Sequence, residues 1–225
     1  MILIFLFFFG YYLWVNSYGD SGTQHELAKK FEQNFSAAPG LSSVGTGDTI
    51  TTPVGSLIHD HTPITGNPGS PVTVVAFIDF ECPYCQSAFP TFERIRDTYG
   101  PAVKIVFKHF PIESIHPHAK RAARGAACAQ QQNGFWPYYS SLFIKKDFST
   151  DEDLIQMARA QGLSIPLFQS CLTEAKTTAA IDKDIQDGIA IGVRGTPTYI
   201  VNQQKFEGVI SDTEWDRILL QALQF

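Results

Sequence analysis

The chain has 225 residues, 44% hydrophobic and 13% aromatic, enough apolar material for one packed domain with further segments attached. Its 17 Lys and Arg against 22 Asp and Glu leave a formal net charge of -5, and the basic residues are spread along the chain with no run longer than two. No basic patch exists to hold a phosphate backbone, so nucleic acid is excluded as a partner.

Met1 to Val15 carry no charged side chain and run through Ile, Leu, Phe, Tyr and Trp. Such a run does not sit on a soluble surface, so residues 1–18 are expected to anchor the chain in a membrane, with a cleaved signal peptide as the alternative. As a helix this segment spans about 27 Å, a little short of a hydrocarbon core of about 30 Å. Tyr11, Tyr12, Trp14 and Tyr18 fit an interfacial aromatic belt. His25, Leu27, Ala28, Phe31 and Phe35 then recur at helical spacing, which predicts a short juxtamembrane helix. From Ser36 to Ser56, 14 of 21 residues are Gly, Ser, Thr or Pro. That composition buries too little to offset chain entropy, so residues 19–56 read as a helix followed by a flexible linker. The linker would hold the domain roughly 25 Å from its anchor.

The folded domain is expected over residues 57–225. Val72 to Phe80 is a nearly unbroken apolar run rich in β-branched residues, the mark of a strand buried on both faces. Pro83 to about Tyr99 reads as a helix with Ala88, Phe92 and Ile95 on one face, and Val103 to Phe110 as the next strand. This βαβ order makes the two strands parallel neighbours. Residues of about 116–192 are rich in Ala, Gln and Leu and broken at Asn133-Gly134, Gly162 and Pro166, predicting three or four helices in succession. Strand signals return at Thr198 to Val201 and Lys205 to Ile210, joined by a hairpin turn at Asn202 to Gln204, and Asp212 to Leu223 reads as a closing helix.

The four cysteines divide into a tight pair, Cys82 and Cys85, and two distant singles, Cys128 and Cys171. Cys82-Pro83-Tyr84-Cys85 stands between the end of a buried strand and the start of a helix, so Cys82 takes the helix N-cap and Pro83 the first helical position. Unpaired N–H groups and the helix dipole favour an anion there, which makes Cys82 the attacking thiolate. Cys85, one turn in and shielded, is the resolving thiol. A half zinc site and a structural disulfide are the competing readings, but no second CxxC and no His-x-x-x-His supplies the remaining ligands. No metal or other cofactor is implied.

Phe77-Ile-Asp-Phe-Glu-Cys-Pro-Tyr-Cys85, with Val193-Arg-Gly-Thr-Pro-Thr198 far downstream, resembles the DsbA-type branch of the thioredoxin superfamily. The resemblance covers residues of about 57–225. It implies an α/β thioredoxin fold with a helical insertion between the second and third core strands, here preceded by an anchor and tether. It also implies that Pro197 is cis, lies against the active cysteines, and binds extended substrate together with Thr196. Pro90 resembles the proline that kinks the active-site helix of thioredoxins. Some DsbA-like proteins carry a second, structural bridge, and in an oxidising compartment that implies a Cys128–Cys171 disulfide. Two free buried cysteines remain the alternative.

The chain departs from the family at Ala76, where many relatives carry a buried acid six residues before the first cysteine. Asp79 and Glu81 are near in sequence, although a strand-end cap and a solvated residue explain them equally well. Lys108 could approach the site from the adjacent strand, but a lone strand lysine is more often just exposed. His116-Pro-His118 and His59-Asp-His61 invite a metal reading, but without further ligands at working spacing the first reads as a helix cap and the second as part of the domain entry. Phe135-Trp136-Pro-Tyr138-Tyr139 reads as packing rather than as a peptide-binding stripe.

The resemblance implies an oxidase at the cell membrane whose catalytic domain is extracytoplasmic. It would pass its disulfide to reduced secreted or envelope proteins and be reoxidised by a membrane quinone-linked partner. A reductase, isomerase or glutaredoxin-like enzyme is the second reading, and a tethered peptide-binding chaperone without turnover the third.

Overall fold

The computed structural model describes residues 48–224. The expected anchor over 1–18, the juxtamembrane helix and most of the linker lie outside the described residues. Among the described residues no helix is long and apolar enough to cross a membrane.

Five strands form one sheet: β1 (Ile64–Gly66), β2 (Thr73–Ile78), β3 (Lys104–His109), β4 (Thr198–Val201) and β5 (Gln204–Glu207), in the spatial order β1-β3-β2-β4-β5. Only β2 and β3 run parallel, and the helix α1 (Pro83–Tyr99) connects them. Five helices follow β3: α2 (Ala119–Gln130), α3 (Phe135–Lys145), α4 (Asp151–Ala160), α5 (Ile165–Thr173) and α6 (Ala175–Ala190). The last helix, α7 (Asp212–Leu223), closes the domain.

The register explains how the layers pack. Ala76 lies opposite Phe107 on β3 and Tyr199 on β4, so these three share a face of the sheet. On that face Tyr199 stacks on Phe92 of α1 and meets Trp215 of α7 edge-on, while Phe107 packs with Phe135 and Tyr139 of α3. The aromatic run over 135–139 therefore goes mainly into packing, with Phe135, Tyr138 and Tyr139 buried. The opposite face belongs to α6. A Cβ at Gly188 would stand 2.6 Å from the Phe110 ring, so only glycine lets α6 lie this close.

Four expectations are corrected. The insertion has five helices, because Glu174 adopts an extended conformation and separates α5 from α6 without Gly or Pro. Thr177 holds that break, its hydroxyl donating to the Cys171 carbonyl at 2.9 Å. β1 carries no alternation to announce it; its three residues pair along β3, and Gly66 (φ 81°) ends it where a side chain would meet the Val103 carbonyl at 2.3 Å. The end of the expected linker is not a tether: the Ile50 N–H donates to the Gln203 carbonyl at 2.8 Å, Thr49 bridges Gln204, and Ile50 is buried. These residues cover the edge of β5, whose unpaired backbone groups recruit them despite their composition.

Lys108 is the fourth. It is 0% exposed and reaches Asp184 at 2.5 Å and Asp187 at 2.8 Å, both on α6, besides donating to the Leu57 carbonyl at 2.8 Å. His59 and His61 join the same acids, at 2.6 Å to Asp187 and 2.9 Å to Asp184. A buried ammonium requires such partners, and they come from α6, more than seventy residues away in the chain. The cluster fastens the domain entry and β3 to α6. Among the described residues no group of three or more His, Cys, Asp or Glu is placed to hold a metal ion.

Candidate active site

β2 ends where the Asp79 carboxylate turns back to accept the Glu81 N–H at 2.8 Å, and the Cys82 N–H donates to the Asp79 carbonyl at 3.3 Å. That tight turn delivers Cys82 to the N-cap of α1 in an extended conformation, with Pro83 opening the helix. Cys85 follows on the inner face of α1, in line with Ala88, Phe92 and Ile95. Pro90 lies inside the helix and gives no N–H to the ladder.

Both sulfurs are free thiols, and both residues are buried. The Cys82 thiol donates to the Thr196 carbonyl at 3.3 Å, and the Thr196–Pro197 bond is cis. The loop before β4 thus lies against the cysteine turn, with Thr196 and Pro197 both buried. Pro83 is exposed and Tyr84 half-buried at the same end of α1.

The two thiols differ sharply in acidity. Cys82 is lowered from 9.0 to about 7, chiefly because the Cys85 thiol hydrogen-bonds to it; burial opposes this and the Thr196 side chain assists. Cys85 is pushed well above 9.0, first by burial and then by the neighbouring Cys82. At neutral pH one sulfur is therefore partly a thiolate and the other a thiol, the division of labour that thiol exchange requires.

Asp79 is 1% exposed and central to this turn. Its Oδ2 accepts the Ile112 N–H at 2.9 Å and pairs with His116 Nδ1 at 2.7 Å. The expected cap over 116–118 is corrected: α2 starts after His118, whose side chain makes no capping hydrogen bond, and His116 turns to Asp79 instead. Glu81 is tied as well, accepting the His118 N–H at 2.6 Å. Ala76, where the resemblance implies an acid, is buried opposite Tyr199 of β4. His116 was therefore missed by spacing, because only the fold brings residue 116 to residue 79.

Cys128 and Cys171 lie elsewhere. They form a disulfide that ties α2 to α5, with Cα atoms 5.6 Å apart and a sequence separation of 43.

Residues 59–221 match the family model described as thioredoxin. The chain belongs to the thioredoxin family. Among solved structures, a thioredoxin-like oxidoreductase from Silicibacter pomeroyi superposes with a TM-score of 0.67 and 25% identity, over 75% of this chain and 96% of that one. A periplasmic thioredoxin-like protein from Salmonella enterica serovar Typhimurium reaches 0.65 with 24% identity, over 76% and 95%. The thiol-disulfide exchange protein alpha-DsbA2 from Wolbachia pipientis reaches 0.66 with 18% identity, over 92% and 98%, and shares the fold. These solved structures share the fold that the resemblance implies. Among curated proteins, the Na(+)/H(+) antiporter NhaA 3 of Salinispora tropica is 33% identical over 150 residues, 67% of this chain and 22% of its own. The Na(+)/H(+) antiporter NhaA 1 of Mycolicibacterium gilvum is 32% identical over 169 residues, 74% and 26%. The chain thus spans about a quarter of the length of the curated relatives it matches, and their name describes those whole proteins.

Proposed function

We propose that this thioredoxin-family chain is an extracytoplasmic thiol–disulfide oxidoreductase that inserts disulfides into reduced secreted or envelope proteins. The observation that carries thiol–disulfide exchange is the unequal pair at the head of α1, with Cys82 lowered to about 7 and Cys85 held up. A client thiolate attacks the Cys82 sulfur of the Cys82–Cys85 disulfide, and Cys85 leaves as a thiolate and takes up a proton. The client's second thiolate then attacks its own sulfur in the mixed disulfide and releases Cys82. The client loses two electrons, and the Cys82–Cys85 pair holds them until a membrane quinone-linked partner removes them.

The loop that carries Thr196 and Pro197, set against the cysteines, is where an extended client segment would lie. The Cys128–Cys171 disulfide supports a location outside the cytoplasm, where thiols are not kept reduced. A periplasmic neighbour of similar fold supports it too. Residues 1–18 would tether the enzyme to the cell membrane.

A reductase or isomerase is the second reading, and one observation favours it: Cys82 at about 7 is close to the value of about 7 in thioredoxin and far from about 3.5 in DsbA. Equilibration with glutathione buffers at pH 7 separates the two. A potential between about -120 and -180 mV is expected for the oxidase, and one near about -270 mV assigns the chain to reduction.

A further inference from the structure

We propose that His116, held in place by Asp79, is the cationic partner of the Cys82 thiolate and sets the pH range in which Cys82 reacts. The inference rests on the reading of Cys82 as the reactive sulfur. It starts from the position of Asp79, which touches both groups. Its main-chain carbonyl accepts the Cys82 N–H at 3.3 Å, and its carboxylate meets His116 Nδ1 at 2.7 Å. A buried carboxylate only accepts, so Nδ1 carries a hydrogen and the second proton of the imidazolium goes to Nε2. This is the orienting role a carboxylate plays for an imidazole beside a nucleophile, here in a cysteine site.

The charges around the pair give the arrangement its purpose. Asp79 and Glu81 come from the turn after β2, Cys82 and Cys85 from α1, His118 and Arg121 from the start of α2, and Tyr199 from β4. Asp79 by itself opposes a thiolate at Cys82, because two anions then share one buried pocket. A proton on His116 cancels that repulsion. Burial drives His116 towards the neutral form, yet Asp79, Cys82 and Glu81 together outweigh it and raise its pKa. The dipeptide between the cysteines, Pro83-Tyr84, brings no cation of its own. His116 supplies one from the loop after β3.

The coupling is reciprocal, so it can be read on the unaltered protein. Histidine ring resonances of the full chain would be titrated in the reduced and the oxidised states. The His116 midpoint is expected about one unit higher in the reduced protein, where a thiolate is present, than in the disulfide form. Equal midpoints overturn the proposal. A second measurement follows alkylation of Cys82 by iodoacetamide against pH. His116→Gln is expected to slow it about tenfold at pH 6, with little change at pH 10 where the thiolate is complete, and His116→Lys to keep it fast. Slowing by the same factor at every pH marks a purely structural role and overturns the proposal, as does a profile unmoved by His116→Gln. Failure of the underlying reading looks different: Cys82 in the unaltered protein would then react no faster than Cys85 at any pH.

Discussion

The two cysteine pairs use one chemical group for opposite ends. Cys82 and Cys85 are three residues apart at a helix N-terminus, beside a buried carboxylate and an imidazole, and they remain thiols of unequal acidity. Cys128 and Cys171 are 43 residues apart, enclosed between two helices of the insertion with Thr177 as a polar neighbour, and they are joined. What would separate a reactive sulfur from an inert one here is the company each keeps. A thiolate needs donors and a dipole end aimed at it, whereas an apolar enclosure offers nothing to a charge and much to a cross-link.

The sharpest way to break this contrast is to remove the sulfurs one at a time. Cys82→Ser should abolish exchange, and Cys85→Ser should accumulate mixed disulfides with client proteins, visible on non-reducing gels. Equal loss with no trapped adduct in either variant would erase the assigned roles.

Removing the other pair should leave the chemistry and weaken the fold. The double change Cys128→Ala with Cys171→Ala is expected to lower stability by about 2 to 4 kcal/mol in denaturant unfolding while exchange by Cys82 continues. A loss of exchange larger than the loss of folded protein would show that the two pairs are not independent.

The third test uses pH, to which only one pair responds. Because Cys82 is lowered in the fold, the reduced protein gains stability that is complete above the unfolded thiol's 9.0 and is lost as pH falls through about 7. The gain approaches about 2 kcal/mol near pH 9 and is only a few tenths at pH 7, where the thiol is half ionised. Cys85 is shifted the other way and takes stability from the reduced fold above pH 9, so the window lies between the two values. Melting temperatures of reduced minus oxidised protein should therefore rise between pH 6 and pH 9. A flat difference would mean that Cys82 is not depressed.

The smallest effect is expected at Thr196, whose side chain helps to lower Cys82. Thr196→Val should raise the Cys82 midpoint by less than about one unit, read from thiolate absorbance near 240 nm, and should leave the Cys128–Cys171 bridge intact.

The sequence by itself determined the elements whose signals are local. The unbroken β-branched run of β2, the helix opened by Pro83, the hairpin at Asn202 and the periodic α7 all follow from residues that touch one another or their immediate neighbours. The motif Cys82-Pro83-Tyr84-Cys85 was legible for the same reason, since its chemistry depends on a strand end and a helix start close by in the chain. Only the tertiary structure decided what depends on distant partners. Lys108 is buried because Asp184 and Asp187 arrive from α6, β1 exists because the edge of β3 was open, and Ile50 is ordered because β5 offered unpaired backbone. His116 belongs with these: nothing in its spacing points to residue 79, and the pair exists because the loop after β3 returns to the turn where β2 ends. A buried charge or an open strand edge is satisfied wherever the fold supplies a partner, and composition and periodicity carry no record of where that is.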